Sequence, residues 1–278
     1  MSVADAVREA AARLEQAGCP SPRADAEQLV AHVLGTSRTG VYADGSRELG
    51  ARDAARLAAL VGRRAAREPL AYVLGEWGFR RLALQVDPRV LVPRPETEVV
   101  VERCLALIRG IERPHVLDVG VGSGAIALAI ADEHPGADVV AFDNSRDALL
   151  VARANAEAAG LLDRVRLVEH DLMRGLGPAQ YDLVVSNPPY VDPGEIDALA
   201  PEVRDWEPRR ALIGSGVTEG LADGAREALR EGGWLVLEAA DGRGPEIAEL
   251  LARLGYRNVQ VTRDLADRER VVEGQWHL

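Results

Sequence analysis

"HVLDVGVGSGAIAL", residues 115–128, runs an apolar strand pattern into three alternating glycines and then into an Ala-Leu-rich helical pattern. Gly120, Gly122 and Gly124 permit a sharp strand-to-helix turn and let a ligand approach the backbone closely. The spacing is GxGxG, whereas a dinucleotide fold favours GxGxxG. Asp118 stands two places before the first glycine and suits a cationic ligand better than a pyrophosphate. A purely structural tight turn would use the same glycines, so the loop alone does not decide function.

The surrounding pattern fixes the fold class. From His115 onward, strands are expected at 115–119, 138–142, 164–169, 181–186, 233–239, 257–263 and 270–276. Helices between the early strands are marked by "AIALAIADEH" (125–134) and "RDALLVARANAEAAG" (146–160). Such alternation predicts an α/β domain built on a doubly wound, mostly parallel sheet of seven strands, covered on both faces. The last two strands are joined by only "DLADRE" (264–269), too short for a crossover helix, so that pair should be antiparallel at the sheet's end.

The carboxyl ends of these strands carry the next signals. "DVVAFDNS" (138–145) ends its strand at Asp143, where α/β nucleotide folds place a carboxylate to grip ribose hydroxyls. That acid could instead cap the following helix, although Ser145 is placed to do so. "VEHDL" (168–172) brings Asp171 and Leu172 to the same edge, where an adenine could sit or where the acid could simply be a cap. Glycine loop, ribose acid and adenine edge, in that order, fit S-adenosylmethionine as cofactor. The expected cofactor contacts are Asp118, Gly120, Val121, Gly122, Ser123, Gly124, Asp143, Asp171, Leu172 and Asn187.

The fourth strand leaves the sheet through "VVSNPPYVD" (184–192). Prolines cannot donate to a sheet ladder and hold φ fixed, so Asn187-Pro188-Pro189-Tyr190 makes a stiff exit that fixes carbonyl directions. An amide or aromatic amine nitrogen is a poor nucleophile because its lone pair is delocalised. The Asn187 side-chain oxygen and the Pro188 carbonyl can each accept one N–H of a planar NH2 group, and Tyr190 offers a face to pack on it. The expected catalytic residues are therefore Asn187, Pro188, Pro189 and Tyr190.

Bulk properties narrow the class. All 33 basic residues are Arg, and the net charge of -11 argues against a broad nucleic-acid footprint. Short clusters such as Arg63-Arg64 and Arg209-Arg210 read as solvated surface. Cys19 and Cys104 lie far apart without CxxC spacing, which suggests reduced thiols, and the five histidines are scattered, so no metal site is expected. The N-terminus has no signal-peptide core, and no apolar run approaches the ~18 residues of a membrane span. A soluble cytoplasmic protein with no membrane partner is expected.

Upstream, residues 1–75 read as a small helical bundle. Ser2 caps a first helix stopped at Gly18, Ser21-Pro22 opens a second ending at Gly35, and a third runs from about Ala51 to Ala66. Residues 76–93 change character: Phe79, Leu82, Leu84 and Val86 suggest strands, Asp87-Pro88 a turn, and Val90 to Val92 a return strand, together a β-hairpin linker. Residues 94–278 then form the α/β domain, with Glu96, Thr97 and Glu98 opening its first helix.

These motifs, with "LVPRPETE" (91–98), "REPLAYVLGEWGF" (67–79) and "DLADRERVVEG" (264–274), resemble the protein-(glutamine-N5) methyltransferases of peptide chain release factors, the HemK/PrmC family. The resemblance covers nearly the whole chain. It implies a Rossmann-like class I methyltransferase domain, S-adenosylmethionine as cofactor, and methyl transfer to the glutamine of a Gly-Gly-Gln motif in class-1 release factors. It also implies sulfonium binding at Gly120 to Gly124, ribose at Asp143, adenine at Leu172, substrate glutamine at Asn187 to Tyr190, and a mouth shaped by Arg94 and Glu96. The N-terminal domain would help dock the partner, with the enzyme a monomer that contacts no nucleic acid directly. Leu172 departs from relatives that carry an aromatic residue there. The Asn-Pro-Pro-Tyr loop is shared with adenine-N6 DNA and guanine-N2 RNA methyltransferases, so the alternatives are a glutamine methyltransferase of a ribosomal protein and an adenine-N6 nucleic-acid methyltransferase.

Overall fold

The computed structural model describes residues 1–178, 180–214 and 216–277. In chain order, the first elements are α1 (Val3–Gln16), α2 (Pro22–Leu34), α3 (Arg38–Ala43), α4 (Ala51–Ala65), α5 (Leu70–Leu74), β1 (Glu76–Phe79) and β2 (Leu82–Gln85). The alternating part follows as α6 (Thr97–Ile108), β3 (His115–Val119), α7 (Ala125–Glu133), β4 (Asp138–Asp143), α8 (Arg146–Ala158), β5 (Val165–Glu169) and β6 (Tyr181–Ser186). The chain closes with α9 (Pro201–Arg204), α10 (Val217–Ala228), β7 (Leu229–Glu238), α11 (Gly244–Arg253), β8 (Arg257–Arg263) and β9 (Glu269–Gln275).

The chain divides into two compact units, one comprising Met1–Glu76 with Leu199–Trp206 and the other Trp77–Ala198 with Glu207–Leu278. In the first, Ser2 and Asp5 form a reciprocal capping box that starts α1, and Gly35 at φ +63° ends α2. Ser21 precedes Pro22 as expected but makes no side-chain capping bond. Val3, Leu14, Leu29, Val30, Leu57 and Val61 form the core of this unit.

Arg64, expected on the solvated surface, is instead buried at 3% exposure. Its Nε donates to Asp25 Oδ2 at 2.8 Å, its Nη1 to the Glu68 carbonyl at 3.2 Å, and its Nη2 pairs with Glu202 at 2.9 Å. Arg67 grips the same Glu202 through two bonds of 2.8 and 2.6 Å. A buried guanidinium is tolerated only with such partners, and Glu202 thereby fastens the Leu199–Trp206 segment to the helices.

In the second unit a seven-stranded sheet has the order β5-β4-β3-β6-β7-β9-β8. β3 to β7 are parallel, and β9 runs antiparallel to both β7 and β8, which agrees with the short connection between the last two strands. Successive residues face opposite sides: Val116 joins the layer under α6, α7 and α8, while Leu117 joins the layer under α10 and α11. The chain steps outward from β3 to β5 and then returns to β6 on the other side of β3. A crevice opens at that reversal, at the carboxyl ends of the strands.

The hairpin is tighter than the sequence suggested. β1 and β2 pair with each other, and the chain turns at Arg80 (φ +51°) and Arg81. Val90 to Val92 are not a strand: the Asp87-Pro88 turn is present, closed by the Val90 amide donating to the Asp87 carbonyl at 3.0 Å. The segment after it runs unpaired toward the crevice because β2 has already met its partner. Buried Asn155 of α8 ties the hairpin end to the glycine loop, accepting from the Gln85 amide and donating to the Gln85 and Ser123 carbonyls.

Candidate active site

A cavity of about 410 Å³ opens at the carboxyl ends of β3, β4, β5 and β6. Its wall includes Gly120, Val121, Gly122, Ser123, Asp143, Asp171, Leu172, Asn187, Pro188 and Pro189, so most of the residues singled out from sequence converge on one space. Asp118, Gly124 and Tyr190 lie off that wall.

The glycine loop needs its glycines for backbone conformation. Gly120, Gly122 and Gly124 have φ of +83°, +53° and +91°. An added Cβ on Gly120 or Gly122 would meet no protein atom within 4 Å, so conformation alone excludes a side chain there and space remains for ligand atoms. The loop amides are largely turned inward: Gly120 and Val121 donate to the Phe142 carbonyl at 2.8 and 2.9 Å, and Gly122 donates to Asp143 Oδ2 at 3.0 Å. A pyrophosphate cradle would instead present those N–H groups to the ligand.

Asp118 is buried beneath the loop, where its Oδ2 accepts from the Ala127 amide at 3.0 Å. Its Oδ1 has no hydrogen-bond partner among the described residues. Burial pushes this carboxyl up to about 7, against the Ala127 amide and with the negative Asp143 adding to the rise.

Asp143 closes β4 on the cavity wall. Its two oxygens accept from the amides of Gly122 and Ser145, at 3.0 and 2.8 Å, leaving further lone pairs free. Ser145 performs the capping of α8, accepting from the Ala148 amide at 3.2 Å. Burial raises the Asp143 pKa, and the amides of Gly122, Ser145 and Asn144 with the charge of Arg210 oppose that rise.

Asp171 caps the short helical turn Leu172–Arg174 by accepting from the Met173 amide at 3.0 Å. Leu172 and Met173 complete this side of the cavity. Phe142 and His170 also line it, with ring centroids 4.6 Å apart, an aromatic surface beside Leu172 that the sequence reading did not identify.

Opposite stands the exit from β6. Ser186 Oγ donates to the Val119 carbonyl at 2.6 Å and joins the two strands that flank the crevice. Val191 donates to the Leu212 carbonyl at 2.9 Å, and Gly214 lies so close to Pro189 that an added Cβ would collide with its carbonyl oxygen. Asn187 Nδ2 lies 3.5 Å from Thr97 Oγ1, and that hydroxyl donates to Glu238 Oε2 at 2.6 Å. Glu238 ends β7 and is buried; burial pushes it up to about 7 against the Thr97 hydroxyl and the charges of Arg270 and Arg94, with Glu96 adding to the rise.

Arg94 lines the cavity and donates from one nitrogen to both oxygens of buried Glu207, at 2.6 and 2.7 Å. Glu96 is off the wall and pairs with Arg268 at 3.1 Å. The "DLADRER" segment proves to be a turn built on Asp264, which accepts from the Ala266 and Arg268 amides and from the Arg268 and Arg270 side chains. Arg209-Arg210 is exposed as expected, but Arg210 borders the cavity. Thr97, Glu238, Phe142, His170 and Arg210 were missed. The available signals were Thr97 inside "RPETE" and an acid closing the apolar run "WLVLE" (234–238). Among the described residues no group of three or more His, Cys, Asp or Glu could hold a metal ion, and no helix is long and apolar enough to cross a membrane.

Two family models match the chain: the PrmC N-terminal domain over residues 5–75 and the methyltransferase small domain over residues 98–202. The release factor glutamine methyltransferase of Deinococcus radiodurans is 42% identical over 280 residues, covering 99% of each chain. That of Geobacter sulfurreducens is 40% identical over 268 residues, covering 94% of this chain and 92% of its own. A solved methyltransferase from Pyrococcus furiosus superimposes with a TM-score of 0.51 at 20% identity, over 71% of this chain and 90% of that one, and shows the shared class I fold. With a matching N-terminal domain, a matching methyltransferase domain and full-length relatives at this identity, the chain belongs to the release factor glutamine methyltransferase family.

Proposed function

We propose that this enzyme methylates the side-chain amide nitrogen of the glutamine in the Gly-Gly-Gln motif of class-1 peptide chain release factors, with S-adenosylmethionine as methyl donor. The observation that carries the reading is that Gly120 to Ser123, Asp143 and Asn187 to Pro189 share one cavity wall. The cavity falls in the roughly 300–1,000 Å³ range of ligand sites. Uncrowded Gly120 and Gly122 and an acid with free lone pairs at Asp143 suit a ligand with hydroxyls better than a pyrophosphate.

When bound, S-adenosylmethionine supplies an electrophilic methyl group on a sulfonium. Asp143 would hold the ribose hydroxyls, Leu172 with Phe142 would pack on the adenine, and the Gly120–Gly124 loop would lie along the methionine portion. Asn187 Oδ1 and the Pro188 carbonyl each accept one N–H of the substrate amide and aim its nitrogen into the cavity. As positive charge develops on that nitrogen its N–H groups become stronger donors, so these two bonds strengthen in the transition state. No strong base is needed, because the alkylated nitrogen is acidic enough to release its proton. Tyr190, at 39% exposure beside the cavity, is placed to pack against the incoming peptide.

The protein substrate would dock in part on residues 1–75, which carry none of the chemical motifs. A monomeric cytoplasmic enzyme without direct nucleic-acid contact fits a net charge of -11 and a protein substrate. The test is mass spectrometry of release factors, ribosomal proteins and nucleosides from digested DNA and RNA after incubation with the enzyme and S-adenosylmethionine. One added methyl on the Gly-Gly-Gln glutamine is expected, whereas methylation confined to a ribosomal protein or to adenine would replace this reading.

A further inference from the structure

Asn187 can accept from a substrate amide only if its Oδ1, and not its Nδ2, faces the substrate. The two ends of an amide side chain are nearly identical in shape, so something must select between them. Thr97 Oγ1 sits 3.5 Å from Asn187 Nδ2 and 2.6 Å from Glu238 Oε2. An ionised carboxylate only accepts, so the short contact uses the single hydroxyl hydrogen of Thr97. Only lone pairs then remain on the Thr97 oxygen, and the Asn187 atom facing it must carry hydrogen.

We propose that Thr97 and Glu238 are positioning residues that keep the carbonyl end of Asn187 turned toward the substrate amide. The proposal rests on the amide-nitrogen reading of the site. The Asn187–Thr97 bond is at the long limit for N–H···O, as catalytic hydrogen bonds often are before substrate arrives. Glu238 and Thr97 are 2% and 4% exposed, so water does not compete for the relay.

The relay has a direction that proton count can reverse. A protonated Glu238 can donate to Thr97, which frees the Thr97 hydrogen to face Asn187 and favours the flipped amide. The groups that act on Glu238 are Arg94 and Glu96 from the segment before α6, Arg270 from β9 and Tyr190 from the loop after β6. Burial sets the balance near neutrality, with Glu238 pushed up to about 7. Transfer should therefore weaken as pH falls through that region.

The experiment is single-turnover methylation of a release factor by Thr97→Val, Thr97→Ser, Glu238→Gln and Asn187→Ala, with Thr97→Val also combined with Asn187→Ala, and with S-adenosylmethionine affinity measured by calorimetry. Thr97→Val should slow transfer about tenfold, the worth of one hydrogen bond, and Thr97→Ser should restore it. In the Asn187→Ala background Thr97→Val should add nothing, and the Thr97 substitutions by themselves should leave cofactor affinity unchanged. Glu238→Gln should lose the acid limb of the pH profile. Full speed for Thr97→Val beside a slow Asn187→Ala overturns the relay, as does an equal slowing by Thr97→Val with and without Asn187. Full speed for Asn187→Ala itself would sink the amide-nitrogen reading, and the relay with it.

Discussion

Arg94 bridges both carboxylate oxygens of Glu207 from a single nitrogen, and Glu207 is buried while Arg94 faces the cavity. This ion pair joins the segment before α6 to the chain that follows Trp206, at the cavity wall. Burial raises the Glu207 pKa, and Arg94 opposes that rise.

Arg94→Ala should leave an unpaired buried carboxylate and cost about 1–3 kcal/mol at neutral pH. With its pKa raised further in the folded state, folded Glu207 would bind more protons than unfolded Glu207 between the two pKa values. Stability of the variant relative to wild type should therefore improve as pH falls toward the ordinary glutamate range and worsen as pH rises. Thermal melting of both proteins from pH 5 to 8 measures this; a deficit independent of pH would assign the loss to packing.

Asp143→Ala should weaken S-adenosylmethionine binding by roughly 1.5–3 kcal/mol, the worth of charge-assisted hydrogen bonds. Asp143→Asn should fall between, since it keeps one acceptor for the Gly122 or Ser145 amide. Calorimetry at fixed pH decides, and unchanged affinity for Asp143→Ala would remove it from the site.

The glycine loop, Asp143 and the Asn187–Tyr190 exit were legible because each is a local run in which neighbouring residues serve one turn or strand end. The long-range pairs around them were not. Thr97 and Glu238 are 141 residues apart, and Arg94 and Glu207 are 113 apart. No periodicity links such partners; they meet only because the sheet order brings β6 and β7 beside the helix that Thr97 opens. The dipeptide Arg63-Arg64 makes the same point, since Arg64 is buried on Asp25 and Glu202 while Arg63 stays half-exposed. The expected return strand failed for a local reason: Leu82 and Leu84 lie in β2, which pairs with β1 across the Arg80-Arg81 turn, so Val90 to Val92 are left without a strand to join.

Gly214→Ala should disable the exit loop without unfolding the domain. The new methyl would collide with the Pro189 carbonyl oxygen and lie 2.6 Å from Pro189 Cγ, so the loop must move. A shift of about 1 Å in a positioning group can cost roughly a hundredfold in rate. Cofactor affinity should fall less than the transfer rate, because Gly214 itself is not on the cavity wall and the Asp143 side is untouched. Wild-type transfer by this variant would show that the loop tolerates displacement.

Asn187 carries most of the functional claim. Asn187→Ala removes the acceptor for one substrate N–H while leaving the Pro188 carbonyl and the Asp143 side of the cavity in place. Methyl transfer should slow by about 10²–10³, by analogy with oxyanion-hole donors of opposite polarity, while S-adenosylmethionine still binds. Asn187→Asp is the sharper variant. It keeps an acceptor of nearly the same shape but has no N–H for Thr97, and it sets a second carboxylate beside Glu238, which burial already pushes up to about 7. The two acids would compete for the one Thr97 hydrogen and titrate as a pair. Asn187→Asp should therefore transfer faster than Asn187→Ala and slower than wild type, with its acid limb displaced from that of wild type by the coupled titration. Single-turnover rates across pH 6 to 9 provide the measurement. If Asn187→Ala transfers at the wild-type rate, the exit loop is scaffolding and the acceptor role of Asn187 has to be abandoned.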